Sequence, residues 1–374
     1  MAEAPMRVLI AGGGIAALET VMALRSLAGD RVAIALIAPE DEFVYHPIAA
    51  KPPYAVGRMR RIPLKRLLAD VGAQRIRLNV RAVDPAARVV RTTGGREFEY
   101  DELVLALGAD PVPVVKHART WDDRTGAETL GGLFRDFELG YSRRLAVVIP
   151  SGPVWPLRGY ELALILTQDA RGMGLEIETL LVTPERSPLE ILGDVTVTAV
   201  SDALREAGVA VVFANQVEIE PGQPEVLVAH PSGQRVDVYR VVALPTLRGR
   251  PIPGILVEEH GFVEIDECCR VEGLEHVWAV GDITTFPVKS GGMAAEQADV
   301  AAEAIAATAG ADINPRPFDP AGRGELAALP VGRYLESWLG THEVAGSTMH
   351  LPTLGVPALT YLRRDFEAGW RGEI

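Results

Sequence analysis

Short apolar runs rich in β-branched residues alternate with segments of helical apolar spacing along most of the chain, and this alternation predicts an α/β protein built on parallel sheets. Val8-Leu9-Ile10 forms the first such run, and an Ala/Leu-rich helix is predicted from Ile15 to Leu27. Arg31 to Ala38 reads as a second parallel strand, apolar nearly throughout, as strands buried on both faces are. Arg75 to Asp84 and Arg88 to Arg91 predict short strands with a Gly94-Gly95 turn, and Tyr100 to Asp110 an apolar strand ending in small residues. Phe43 to Tyr54 carries aromatics, His46, Lys51 and three prolines, which predicts a structured loop at the ligand side of the sheet.

A second half repeats the first in outline. Trp121 to Arg143 predicts a helix interrupted at Gly131-Gly132. Strand LAVVI (145–149), a turn, helix YELALILTQDA (160–170) and strand IETLLVTPE (177–185) then follow the order of strand, turn, helix and strand at the start. The strand ends also agree, Thr183-Pro184-Glu185 against Ala38-Pro39-Glu40. Beyond them lie a predicted helix from Asp194 to Ala207, a strand at Val209 to Phe213, a hairpin at Val226 to Val238, and Arg240 to Leu247, which returns the chain to the first unit.

The two turns differ in chemistry. Gly12 and Gly14 hold the first two places of a GxGxxG turn, and Ala17 takes the third, where a small side chain lets helix and strand pack closely. Gly12 supplies the φ the turn needs, Gly14 lets a pyrophosphate approach the backbone, and the helix start at Ile15 and Ala16 offers free N–H groups to that anion. The usual ribose-binding acid is replaced by Ala38-Pro39, with Glu40 just beyond. The second turn reads SGPVWPL (151–157), where Val154 and Leu157 stand at the glycine places and Pro150, Pro153 and Pro156 lack N–H groups. The second unit therefore keeps the scaffold with a lost or altered nicotinamide-dinucleotide site.

Size and charge narrow the picture. A chain of 374 residues exceeds one ordinary domain, and its net charge of −13 argues against a nucleic-acid footprint. No apolar run is long enough to span a bilayer, and with the first strand so close to Met1 no signal peptide is expected, so the expected location is cytoplasmic. The cysteines, Cys268 and Cys269, are adjacent in DECCRV, which is expected as a strand with one buried and one exposed thiol. They make neither a disulfide framework nor a metal-ligand set, and no metal site is expected.

Glu275 to Ala309 completes the chemistry. Strand HVWAV ends at Gly281-Asp282, and an alanine-rich helix begins near Gly292. An Asp at a strand end accepts bonds from ribityl hydroxyls, and a helix start aims its positive dipole at the pyrimidine edge of a flavin.

These segments, with FVYHP (43–47), YDELVLALGA (100–109) and GFVEID (261–266), resemble the flavoproteins with two dinucleotide-binding domains. Within them the chain is similar to the branch of sulfide:quinone oxidoreductase, flavocytochrome c sulfide dehydrogenase and type II NADH dehydrogenases. The resemblance implies two Rossmann-like domains of glutathione-reductase type: an FAD-binding domain at 1–115 and 245–310, a degenerate NAD(P)-type domain at 116–244, and a C-terminal interface region at 311–374. It implies that Gly12, Gly14, Ile15, Ala16 and Ala17 hold the FAD pyrophosphate, that Ala38, Pro39 and Glu40 serve the ribose, and that Val80 meets the adenine. Ala106 and Gly108 would lie by the flavin, Gly281 and Asp282 by the ribityl chain, and Lys289, Gly292 and Met293 at the ring's far edge. Glu161 matches a glutamate beside the flavin in relatives, with Lys51 or Lys289 as its partner.

One departure is chemical. Sulfide-oxidising relatives use a cysteine pair beside the flavin, and this chain has no cysteine before Cys268. Three functions stay open: an FAD-dependent oxidoreductase passing electrons through the flavin N5 from a small donor to a small-molecule or quinone acceptor, an NAD(P)H:quinone oxidoreductase, and a flavin-binding module without turnover. The C-terminal segment VGRYLESWL (331–339) resembles a helix of relatives, and residues 350–366 an amphipathic tail. Homodimer packing or peripheral membrane contact are their expected uses.

Overall fold

The computed structural model describes residues 4–45, 60–122, 126–190, 194–222, 224–319, 321–326 and 333–338. The chain opens with β1 (Met6–Ala11), α1 (Ile15–Ala28) and β2 (Val32–Ile37), with Met6 beside Val32 and Ala11 beside Ile37 in parallel register. An antiparallel ribbon of β3 (Glu42–Tyr45) and β4 (Arg60–Pro63) follows, then α2 (Leu64–Asp70) and β5 (Gln74–Ile76). A meander of β6 (Val80–Asp84), β7 (Val89–Thr92) and β8 (Glu97–Glu99) leads to β9 (Glu102–Leu105), which returns beside β1. β10 (Ala109–Val112) carries the chain out of this unit.

The next stretch repeats that plan. It comprises β11 (Arg119–Thr120), α3 (Gly126–Glu138), β12 (Arg144–Val148), α4 (Leu157–Gly172), β13 (Glu178–Thr183), α5 (Asp194–Ala207) and β14 (Val209–Phe213). A second meander of β15 (Gln216–Glu220), β16 (Glu225–His230) and β17 (Gln234–Val238) precedes β18 (Arg240–Ala243). β19 (Thr246–Gly249) pairs antiparallel with β10 and brings the chain back. β20 (Val277–Ala279) then joins the first sheet ahead of α6 (Gly291–Thr308). A last ribbon, β21 (Ala321–Leu326) with β22 (Arg333–Trp338), lays its first strand against α4 and α6.

Both main sheets are wholly parallel and share one order, β20-β9-β1-β2-β5 and β11-β18-β12-β13-β14. In each, a glycine-containing turn links a central strand to the helix that crosses to its neighbour, as expected of doubly wound units. Helix α1 is buried nearly all round because the sheet covers one side and α6 the other. That packing explains the alanines of α6: small side chains let two helices approach closely.

Four sequence expectations change. Phe43 to Tyr45 form strand rather than loop, since Phe43 is buried and pairs with Ile62; His46, Lys51 and Tyr54 lie outside the described residues. Helix α3 runs unbroken through Gly131-Gly132, because Leu130, Leu133, Phe134 and Phe137 form one buried stripe at helical spacing. Residues 333–338 are strand, not helix. Their tyrosine and tryptophan favour a pleated surface, and the ribbon with Ala321–Leu326 satisfies the backbone. The DECCRV segment is a tight turn: Asp266 Oδ1 accepts the N–H groups of Cys268 and Arg270, and Cys269 takes φ +65. Cys269 is buried and Cys268 half-buried, both as free thiols. The 350–366 tail lies outside the described residues.

The return of the chain into the first sheet is stitched by one buried carboxylate. Glu102 on β9 accepts the indole N–H of Trp278 on β20 at 2.7 Å, and its other oxygen lies 2.9 Å from His276 Nδ1. Arg88 faces His276 Nε2 at 2.6 Å, so the imidazole proton sits on Nδ1 and points at Glu102. Glu102→Ala leaves both donors buried or half-buried without an acceptor. We expect denaturant titration to show a loss of about 3 kcal/mol, with Glu102→Gln losing less.

Candidate functional site

Two helix starts and one strand end meet at a single place. Gly281, after β20, has φ +79, and a Cβ there would stand 3.1 Å from Ala16 Cβ of α1 and 3.3 Å from Ala294 Cβ of α6. A Cβ on Gly291 would stand 2.8 Å from Ile15 Cδ1. The starts of α1 and α6 are therefore in contact, with Gly281 wedged between them and Asp282 at the opening. Gln297, buried on α6, accepts the Gly281 N–H at 2.7 Å and reaches Thr284 Oγ1.

The turn before α1 has two kinds of glycine. Gly12 has φ +129, and a Cβ would lie 2.1 Å from Ala106 O, so the ends of β1 and β9 close on bare backbone. Arg250 fixes the far side of that approach, donating to Leu107 O at 2.8 Å and to Asp110. Around Gly14 and Gly108, by contrast, a Cβ would meet nothing within 4 Å. Helix α1 starts at Gly14 with no side-chain cap and no acid in its first turn, whereas α6 is capped by Ser290, which accepts the Met293 N–H. The leading N–H groups of α1 and its dipole thus face open space, an anion site. A Cβ on Gly13 would lie 3.5 Å from Glu40 Oε2, which places this exposed carboxylate over the same turn, while Ala38 is buried with its N–H bound to Ile76 O. FAD fits these residues: an uncapped helix start for pyrophosphate, an acid for ribose hydroxyls, and Asp282 for the ribityl chain.

Lys289 is engaged inside the protein. Its ammonium is buried, donates to Asp282 O at 3.2 Å and to Thr284 O, and stands 4.0 Å from the centre of the Phe262 ring. It thereby braces the loop that carries Asp282. Burial lowers its pKa to about 8, against the raising influence of Asp282 and Glu258. Met293 is buried, in an apolar cluster that also holds Trp155 and Val288. Val80 begins β6, partly buried against the first sheet's core. Glu161 is buried on α4.

Both thiols are poorly suited to redox work. Burial and the nearby Asp266 push the pKa of Cys269 and Cys268 up, away from the reactive thiolate. Sequence reasoning overlooked Gln297, Thr284 and the brace role of Lys289. A glutamine within an otherwise alanine-rich helix was the available signal for the first.

Comparisons with known proteins show the family and the fold. A family model described as pyridine nucleotide-disulphide oxidoreductase matches residues 6–306. The sulfide-quinone reductase of Aquifex aeolicus (strain VF5) is 34% identical over 105 residues, 27% of this chain and 24% of that protein, so the match spans about a quarter of that relative's length. The alternative NAD(P)H-ubiquinone oxidoreductase C1 of Arabidopsis thaliana is 25% identical over 407 residues, covering 92% of this chain and 75% of that protein. Among solved structures, the sulfide:quinone oxidoreductase of Aquifex aeolicus superposes with a TM-score of 0.74 at 20% identity, covering 88% of this chain and 83% of that one, a likeness of fold.

The two glycines separate folding from binding. Gly12→Ala is expected to destabilise the flavin-free protein by about 3 kcal/mol, through strain and collision with Ala106 O. Gly14→Ala should leave its melting temperature unchanged while FAD affinity, read by fluorescence titration, falls at least about tenfold.

Lys289 gives a pH signature. Its folded pKa lies below the unfolded value, so between pH 8 and about 10.5 the unfolded chain binds more protons and stability rises with pH. Over that window flavin-free wild type should gain up to about 3 kcal/mol relative to Lys289→Met in parallel denaturant titrations. A difference that stays flat would show the ammonium to be unperturbed.

Proposed function

The chain belongs to the pyridine nucleotide-disulphide oxidoreductase family and is an FAD-dependent oxidoreductase, and from that premise we propose that it passes electrons from a small-molecule donor to a small-molecule or quinone acceptor without a redox cysteine pair. The observation that carries this reading is the meeting of an uncapped, glycine-lined helix start with Gly281-Asp282. FAD, when bound, supplies reversible two-electron chemistry.

The chain's own residues do the rest. The first turn of α1 binds the diphosphate, Glu40 and Asp282 orient sugar and ribityl hydroxyls, and Gly108 leaves room beside the ring. Lys289 holds the loop of Asp282 in place, and Glu161 and Lys289 are our candidates for holding or moving a proton near the ring; Lys51 stays a candidate from sequence alone. Cysteine-dependent sulfide oxidation is not supported, since the sequence offers no thiol before Cys268 and the two present are held protonated.

A quinone acceptor is supported by the printed names of the sulfide-quinone and ubiquinone relatives. The second of these also favours a reading in which NAD(P)H is the donor. Among the described residues no helix is long and apolar enough to cross a membrane.

Purified protein should be yellow, with FAD released on denaturation. After anaerobic bleaching by dithionite, a water-soluble quinone should restore the oxidised spectrum faster than buffer does. Folded protein that is colourless and takes up no added FAD would sink the proposal.

A further inference from the structure

The second unit has every strand and helix of a nucleotide-binding scaffold, yet its ligand end is built differently from the first. Aligned on Gly152, the next two glycine places hold Val154 and Leu157. Gly159 takes over the close packing of helix on strand, since a Cβ there would stand 2.4 Å from Ile149 Cγ1. Shifting the frame to end on Gly159 puts Val154 and Pro156 at the other two places. Neither frame yields the bare backbone a pyrophosphate needs, and Pro153 and Pro156 have no N–H to offer it.

The turn is also filled and fastened. Trp155 is 4% exposed and lies in one apolar cluster with Val288 and Met293, so the turn's own side chains plug the gap between the units. Pro153 O accepts the Leu247 N–H at 2.9 Å, and Ser151 Oγ donates to Asn215 O. A nucleotide entering here would have to expel Trp155 from a packed core.

The strand-end acid tells the same story. Glu185 occupies the position that Glu40 holds in the first unit, but Glu40 is exposed over its turn while Glu185 is turned inward. Its Oε2 accepts the Tyr160 hydroxyl at 2.6 Å and the Thr183 hydroxyl at 2.9 Å. Burial raises the Glu185 pKa and the Tyr160 pKa together, marking a pair shielded from water. One oxygen of the acid that would take ribose hydroxyls is thus engaged by two hydroxyls of the protein.

Space agrees with chemistry. Beside the turn, Gly152 and Pro153 face Phe262, Pro287 and Lys289 across a cavity of about 230 Å³. Sites for drug-sized ligands run to roughly 300–1,000 Å³, and a dinucleotide is larger than most such ligands.

We propose that the second Rossmann-like unit does not take NAD(P)H: its β12–α4 turn is filled by the buried Trp155 and lacks the bare backbone and N–H groups a pyrophosphate needs, and its strand-end acid is tied to Tyr160. This rests on the FAD reading above for its optical readout alone.

The test uses the whole flavin-loaded chain. Mixed anaerobically with NADH or NADPH, the bound flavin should bleach no faster than free FAD does, while dithionite bleaches it fully. Separately, NADH fluorescence titrated with the protein should stay flat. Bleaching about tenfold or more above free FAD, or saturable enhancement of NADH fluorescence, overturns the inference and leaves the flavin assignment standing. A colourless preparation counts against the flavin assignment instead, and the NADH titration still decides this one.

Discussion

The rest of the structure depends on how closely α1 and α6 can approach. A side chain at Gly281 would crowd the methyl groups of Ala16 and Ala294, which would have to give way by a few tenths of an ångström. Only with a glycine there, in a conformation with positive φ, can the strand end pass between two helix starts. That passage puts Asp282 at the mouth of an uncapped helix, and Gln297 secures it by taking the Gly281 N–H. Residues far apart in sequence are thereby brought together at one place.

The approach has an electrostatic cost. A loop that turns so tightly leaves the carbonyls of Asp282 and Thr284 buried, and the Lys289 ammonium is buried with them as their donor. Desolvation of that charge disfavours the fold at neutral pH, while loss of the donor would leave the carbonyls unmet. The Phe262 ring and the nearby carboxylates of Asp282 and Glu258 ease the burial.

The two units show how one scaffold separates stability from binding. Strands and helices need apolar faces at the right period, and both halves meet that need with unrelated side chains. The turns at the strand ends carry no such packing demand until something fills them. In the first unit the turn stays open to an anion; in the second Trp155 moves into the core and Glu185 turns to Tyr160.

Elements fixed by local chemistry were legible along the chain. Helix Asp194–Ala207 and strand Val209–Phe213 stand where periodicity places them, and the glycine turn at 12–14 and the Gly281-Asp282 end declare themselves by spacing. The β22 strand, the DECCRV turn and the unbroken α3 were not legible. Each is decided by a contact that propensity does not show: an antiparallel neighbour, the Asp266 carboxylate turned onto backbone N–H groups, or a buried stripe. Sequence alone determined the repeated strand-helix order and the chemistry available at each turn, because backbone propensity and donor count are local properties. Only tertiary structure decided which turn is open, where Lys289 spends its charge and whether Glu185 faces solvent, because burial is a property of what packs around a residue.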